Sequence, residues 1–181
     1  MIRLFVGIEL PEDIRLSLGD LCGGVPGANW TPDENLHLTL RFIGEISEGE
    51  AHDVHDALMG VRCPSFELSL AGVGHFSTGD EVRVLWAGVG KSNELNQLQR
   101  NVESALVRMG FPPEERRFRP HVTLARLGGT PIGRVQDFLA HNALFRAGPF
   151  AVEWFTLFSS HRRAEGAIYT AEAEYPLALV A

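Results

Sequence analysis

Lysine is almost missing from this chain: Lys91 stands alone, and the other fifteen basic residues are arginine. Positive charge is scarce altogether, with 16 Lys and Arg against 23 Asp and Glu and a formal net charge of -7. A protein that coats long nucleic acids is basic, because phosphate neutralisation drives that binding, so that class is excluded. Codon preference alone produces an arginine bias, but arginine forks also suit bidentate capture of a single phosphate group. Cysteine is sparse too. Cys22 and Cys63 stand far apart in no CxxC pattern, which excludes a disulfide framework and points to a reducing compartment. No apolar run approaches the roughly 20 residues of a membrane span. The opening "MIRLFVGIELPED" meets Pro11, Glu12 and Asp13 at once and reads as a first strand, not a signal peptide. A cytoplasmic protein without a membrane partner is expected, acting as a monomer.

What is present is ordinary globular material. At 45% hydrophobic over 181 residues, there is enough apolar chain for one domain or two small lobes folding together. "RLFVGIEL" reads as a strand and "PEDIRLSLGDLC" as a helix begun by Pro11. "GGVPGANWTPDEN" reads as a loop. "LHLTLRFIG" is a strand with Leu36, Leu38, Leu40 and Phe42 on one face and His37, Thr39 and Arg41 on the other. A Ser-x-x-Glu capping box opens the helix "SEGEAHDVHDALMG". Two strands, "SFELSLAGVGHF" and "EVRVLWAGVG", flank the turn "STGD". Leu95, Leu98, Val102, Leu106 and Met109 recur at helical spacing. After the loop "FPPEERRFRP" comes the strand "HVTLARLG", then a helix from Pro131, a strand "FAVEWFTLFSS", the turn "HRRAEG" and a last strand "AIYTAEAEYPLAL".

Two segments share one pattern: "HLTLRFIG" from His37 and "HVTLARLG" from His121, offset by 84 positions (37 to 121) and each ending in Gly. Each follows a loop and precedes a helix. Two similar α+β lobes about a pseudo-two-fold axis are therefore predicted, not a solenoid of many short repeats. Residues i and i+2 of a strand share a face, about 6.6 Å apart, so His37 projects with Thr39 and His121 with Thr123. If the lobes face one another, two imidazoles and two hydroxyls converge. Imidazoles titrate near neutrality, so one can accept a proton while the other donates one across an in-line displacement at phosphorus. The hydroxyls can donate to non-bridging oxygens. No HExxH and no carboxylate cluster accompanies the motif, so neither metal nor other cofactor is expected. This chemistry leaves open which imidazole is the acid.

At these residues the chain resembles the two-histidine (2H) phosphoesterases, and within them the LigT-like RNA 2′,3′-cyclic phosphodiesterases, also named 2′-5′ RNA ligases. "RLFVGIELPEDIR", "WTPDENLHLTLRFIGE", "FRPHVTLARL" and "VEWFTLFSSHRRAEGAIYTAEAEYPL" carry the likeness over nearly the whole chain. The basic turn with His161, Arg162 and Arg163 departs from it. The resemblance implies an α+β fold over residues 1–181: one bilobal domain whose lobes are antiparallel sheets with helices outside, enclosing a central cleft. It implies hydrolysis of RNA 2′,3′-cyclic ends to 2′-phosphomonoesters, with His37 as proton donor, His121 as proton acceptor, and Thr39 and Thr123 on the phosphate. Alternatives are 2′-5′ ligation by the same site, a non-catalytic RNA-end or nucleotide-binding module, and a small cyclic nucleotide as substrate. Further substrate-contact candidates are Arg41, which shares parity with His37, and Arg126, which needs a strand bulge to reach the cleft although the similar family position is often Arg. Arg119, His75 and Phe76 complete the set. Phe5 and Trp30 join Phe76 as rings on which a base can stack.

Overall fold

The computed structural model describes residues 1–179. Its strands are β1 (Ile2–Glu9), β2 (Asn29–Trp30), β3 (His37–Ile46), β4 (Phe66–Thr78), β5 (Glu81–Val89), β6 (His121–Pro131), β7 (Arg146–Val152), β8 (Trp154–Arg163) and β9 (Gly166–Pro176). The helices are α1 (Glu12–Gly19), α2 (Glu48–Met59), α3 (Asn93–Arg108) and α4 (Gln136–His141). The strands join in one antiparallel sheet of order β7-β4-β5-β6-β3-β1-β8-β9, with β2 paired to β6.

Two four-stranded halves meet at the centre of that sheet, and a single residue pair, Leu38 with Val122, joins them between β3 and β6. The predicted two sheets are thus continuous through one seam. Beyond it, β2 takes the free edge of β6: Asn29 pairs with Arg126 and Trp30 with Ala125. The Gly- and Pro-rich stretch read as loop therefore hides a short strand, supported by tertiary pairing and not by its own propensity.

The sequence repeat and the structural halves do not coincide. In chain order, β1-α1-β3-α2-β4 is repeated as β5-α3-β6-α4-β8, with β7 inserted. In space, β4 pairs with β5 and β8 pairs with β1. Each repeat hands its last long strand to the other half. One half is continuous in sequence, β4 to β7, and the other is closed by the C-terminal hairpin.

One apolar core runs through both halves. Leu4, Val6, Ile8, Leu38, Leu40, Leu85, Ala87, Val122 and Leu124 point to the side where Val54 and Leu58 of α2 and Leu95, Leu98, Val102 and Leu106 of α3 are buried. At about 25 cal/mol per Å² of apolar surface removed from water, this layer dominates the stabilisation. The capping box of α2 forms as expected, Ser47 accepting from Glu50 N–H while Glu50 accepts from Ser47 N–H.

Three boundaries differ from expectation. Pro131 ends β6 instead of starting a helix, and a 3-10 turn at Ile132–Arg134 precedes α4. "FAVEWFTLFSS" is two strands broken at Glu153, because β7 pairs with β4 and β8 with β1. β8 continues through His161 to Arg163, so His161 lies in a strand and bonds Ser159 (3.3 Å), not in a turn.

Candidate active site

The seam between the halves assembles the twin motif. Leu38 and Val122 pair and bury completely. Strand alternation about that pair puts His37, Thr39, His121 and Thr123 on one face. All four project from the face opposite the helices. The two imidazoles are close enough that charge on His121 works against protonation of His37.

Both histidines are held in the same way. His37 Nδ1 lies 2.6 Å from the carbonyl oxygen of Asn35, and His121 Nδ1 lies 2.6 Å from that of Arg119. A carbonyl only accepts, so each Nδ1 carries the proton and donates, leaving Nε2 to face the site. His37 Nε2 meets Thr39 Oγ1 at 2.8 Å. His121 Nε2 has no hydrogen-bond partner among the described residues. Aromatic rings flank each imidazole: Phe5 (4.9 Å), Tyr169 (5.3 Å, edge-on) and Phe158 (5.9 Å) around His37, and Phe76 (4.9 Å, edge-on) and Trp86 (6.3 Å) around His121. Phe76 and Phe158 each come from an exchanged strand, and Ser follows each of them.

Desolvation is the main cause that pushes both imidazoles below the ordinary 6.5, opposed by the Nδ1 bonds to Asn35 and Arg119. The guanidinium of Arg126 adds to the depression at both. Both rings are therefore mostly neutral at pH 7 while the site holds no anion.

Paired bulges decide which arginine arrives. Between β1 and β3 the register skips Leu40: Gly7 faces Thr39, then Val6 faces Arg41. Between β5 and β6 it skips Leu124: Trp86 faces Thr123, then Leu85 faces Ala125. Each bulge falls on the Leu of His-x-Thr-Leu and reverses the alternation beyond it. Arg126, five residues after His121, thereby returns to the imidazole face, as a bulge was needed to allow. The same shift removes Arg41. It turns toward α3 and the following loop, pairing with Glu103 (2.8 Å) and Glu114 (3.8 Å) and donating to the Pro112 carbonyl. Arg41 lines a separate hollow of about 460 Å³ that contains neither histidine. Phe42, assigned by parity to the core, instead reaches the imidazole face, 48% exposed and 5.6 Å from Phe5.

The remaining candidates sort by contact. Phe76 sits on His121 and Phe5 on His37, whereas Trp30 packs on Phe138 of α4 (5.7 Å). Arg119 contributes its carbonyl while the residue is exposed. His75, one position out of phase with Phe76, bonds Ser77 Oγ (2.6 Å). The sequence reading missed Asn35, Tyr169, Phe158, Trp86 and Thr31. Thr31 bonds the carbonyl of Thr123 (3.0 Å) through its hydroxyl and that of Leu124 (2.8 Å) through its N–H. Only the repeated "two before His" position could have signalled the carbonyls.

Gly7 is required by close approach. A Cβ there would stand 2.8 Å from the Leu38 carbonyl oxygen and 3.5 Å from the His37 ring. Among the described residues no group of three or more His, Cys, Asp or Glu has metal-binding geometry, and no helix is long and apolar enough to cross a membrane.

A family model described as "LigT like Phosphoesterase" matches residues 8–86 and 89–169, one match for each copy of the motif. A protein of Aeropyrum pernix named RNA 2′,3′-cyclic phosphodiesterase is 47% identical over 107 residues, 59% of this chain. That alignment spans 60% of the Aeropyrum protein, less than two thirds of its length. A protein of the same name from Methanothermobacter thermautotrophicus is 31% identical over 93% of this chain and 95% of its own. Among solved structures, E. coli LigT complexed with 3′-AMP superposes with a TM-score of 0.79 at 28% identity, covering 97% of this chain and 98% of that one.

Proposed function

The chain belongs to the LigT-like phosphoesterases, and from that premise we propose that it hydrolyses RNA 2′,3′-cyclic phosphate ends to 2′-phosphomonoesters. Its frame is one bilobal domain working as a monomer. What supports the reading is a pair of imidazoles, each with Nδ1 bonded to a backbone carbonyl, near enough that charge on His121 opposes protonation of His37.

His121 is the general base. Its Nε2 is unengaged, and its depressed pKa keeps the lone pair available at neutral pH. It takes a proton from water as the water oxygen bonds to phosphorus. His37 is the general acid. The P–O3′ bond breaks opposite the new bond, and His37 gives its Nε2 proton to O3′. The product carries a 2′-phosphate and a free 3′-hydroxyl, and solvent returns the proton from His121 to His37. An empty site holds His37 neutral. The anionic diester counters that by favouring its cation, so substrate itself loads the acid. Thr39, Thr123 and Arg126 bind the non-bridging oxygens, whose charge Arg126 matches best. The free thiols of Cys22 and Cys63 suit the cytoplasm.

The test uses an oligonucleotide ending in a 2′,3′-cyclic phosphate, with and without chelator, and identifies the product isomer. A 2′-phosphate formed at an unchanged rate in chelator is expected. A 3′-phosphate product, or full loss of activity with chelator, would overturn the mechanism.

A further inference from the structure

We propose that the pocket beside His37 receives the base of the terminal nucleotide and favours bases that carry an exocyclic amino group. The inference rests on the reaction proposed above. If His37 protonates the departing O3′, the ribose lies on the His37 side of phosphorus, and its base extends away from His121. On that side opens a pocket of about 230 Å³ bounded by Glu9, Arg15, Glu34, Asn35, His37 and Tyr169.

Three of its polar residues, Glu9, Arg15 and Glu34, are not used by the catalytic pair. Glu9 pairs directly with His37 across β1 and β3, so its carboxyl stands beside the imidazole. Yet Asn35 and Thr39 already occupy both nitrogens of that ring. Among the described residues Thr156 is the one hydrogen-bond partner of Glu9, at 3.5 Å. Burial, then the nearby Glu174, raises the Glu9 pKa, the mark of an acceptor short of donors. Arg15 reaches Asp33 at 3.2 Å, while its Nε–H is buried without a partner. The pocket thus offers a carboxylate acceptor short of donors next to the Tyr169 ring.

Charge decides what fits. Glu9 and Glu34, with Asp33 already on Arg15, outweigh that single cation and repel a phosphate. A neutral heterocycle meets no such penalty. Cytosine presents N4–H donors complementary to the Glu9 carboxylate. Uracil presents O4 to the carboxylate and loses that pairing. A site built around a hydrogen bond discriminates strongly against the analogue that lacks it.

Two oligonucleotides identical except for a terminal cytidine or uridine 2′,3′-cyclic phosphate provide the test. For the wild type, kcat/KM is expected to favour cytidine by about tenfold. Glu9→Gln, whose amide can donate to O4, should bring the ratio near one. The ratio is taken within one preparation, so partial unfolding cancels. Calorimetry of the wild type with cytidine 2′-phosphate and uridine 2′-phosphate needs no variant and should show the same preference. Equal rates and equal affinities in an active wild type, or a ratio untouched by Glu9→Gln, overturn the pocket assignment alone. Hydrolysis of neither end overturns it together with the proposed reaction.

Discussion

The two halves of the sheet solve one problem twice and then diverge on the imidazole face. In both, a histidine donates Nδ1–H to the carbonyl two residues before it, and a bulge falls on the Leu after the Thr. In both, a Phe from the exchanged strand leans on the ring. Beyond the bulge they part. The His121 half presents Arg126, and the His37 half presents Phe42. Opposite Thr123 stands Trp86, and opposite Thr39 stands Gly7. Symmetry supplies two aligned imidazoles; the departures supply one cation, one open Nε2 and one pocket beside His37. A duplicated scaffold can therefore run asymmetric acid–base chemistry without altering its two reactive residue types.

The sharpest way to break the comparison is to remove either imidazole. His37→Ala and His121→Ala are each expected to lower kcat by about 10²–10⁴-fold, the usual worth of a general acid or base, measured with a cyclic-ended oligonucleotide. Near-normal turnover in either variant would leave the halves equivalent in form only.

The glycines test whether the two walls differ in rigidity. Gly7→Ala drives a Cβ against a backbone carbonyl, and Gly74→Ala drives one to 2.3 Å from the Trp86 ring. Each is expected to cost about 1–3 kcal/mol of overpacking, read by urea unfolding. Gly7→Ala should also disturb His37, and Gly74→Ala the Trp86 wall of His121.

The arginines sharpen the electrostatic contrast. Removing the Arg126 cation takes away a charge that opposes protonation, so Arg126→Gln should raise both imidazole pKa values. Arg41→Gln should move neither, because Arg41 is spent on Glu103 and Glu114. Imidazole proton shifts followed by NMR between pH 5 and 8, with both wild-type midpoints expected below 6.5, check the sign. Midpoints that fall on removal of Arg126 would refute its place at the site.

The smallest effect concerns the helix caps. Ser47 shares a reciprocal capping box with Glu50, and Ser92 caps α3 through Leu95 N–H without one. Ser47→Ala is expected to cost about 1 kcal/mol and Ser92→Ala somewhat less, by thermal unfolding at matched pH.

Much of this was legible from local pattern. His37 and Thr39, and His121 and Thr123, share a face because strand alternation is a two-residue rule that needs no knowledge of the rest of the fold. The α2 capping box and the α3 apolar stripe are equally local, and the twofold repeat announced two comparable units. Arg41 and Phe42 were misplaced because a bulge shifts parity without any mark in the residues themselves. Likewise "FAVEWFTLFSS" gave no sign that its two ends pair with different strands.

The sequence by itself determined the two His-x-Thr motifs, their spacing along each strand and the kinship of the two units, since these depend on neighbours within a few residues. The tertiary structure alone decided that one Leu38–Val122 pair joins the units, that each lends a strand to the other, and that Arg126 and not Arg41 stands on the imidazole face. Those outcomes are set by pairing and packing between segments distant in the chain, where register and the burial of a shared apolar layer prevail over local preference.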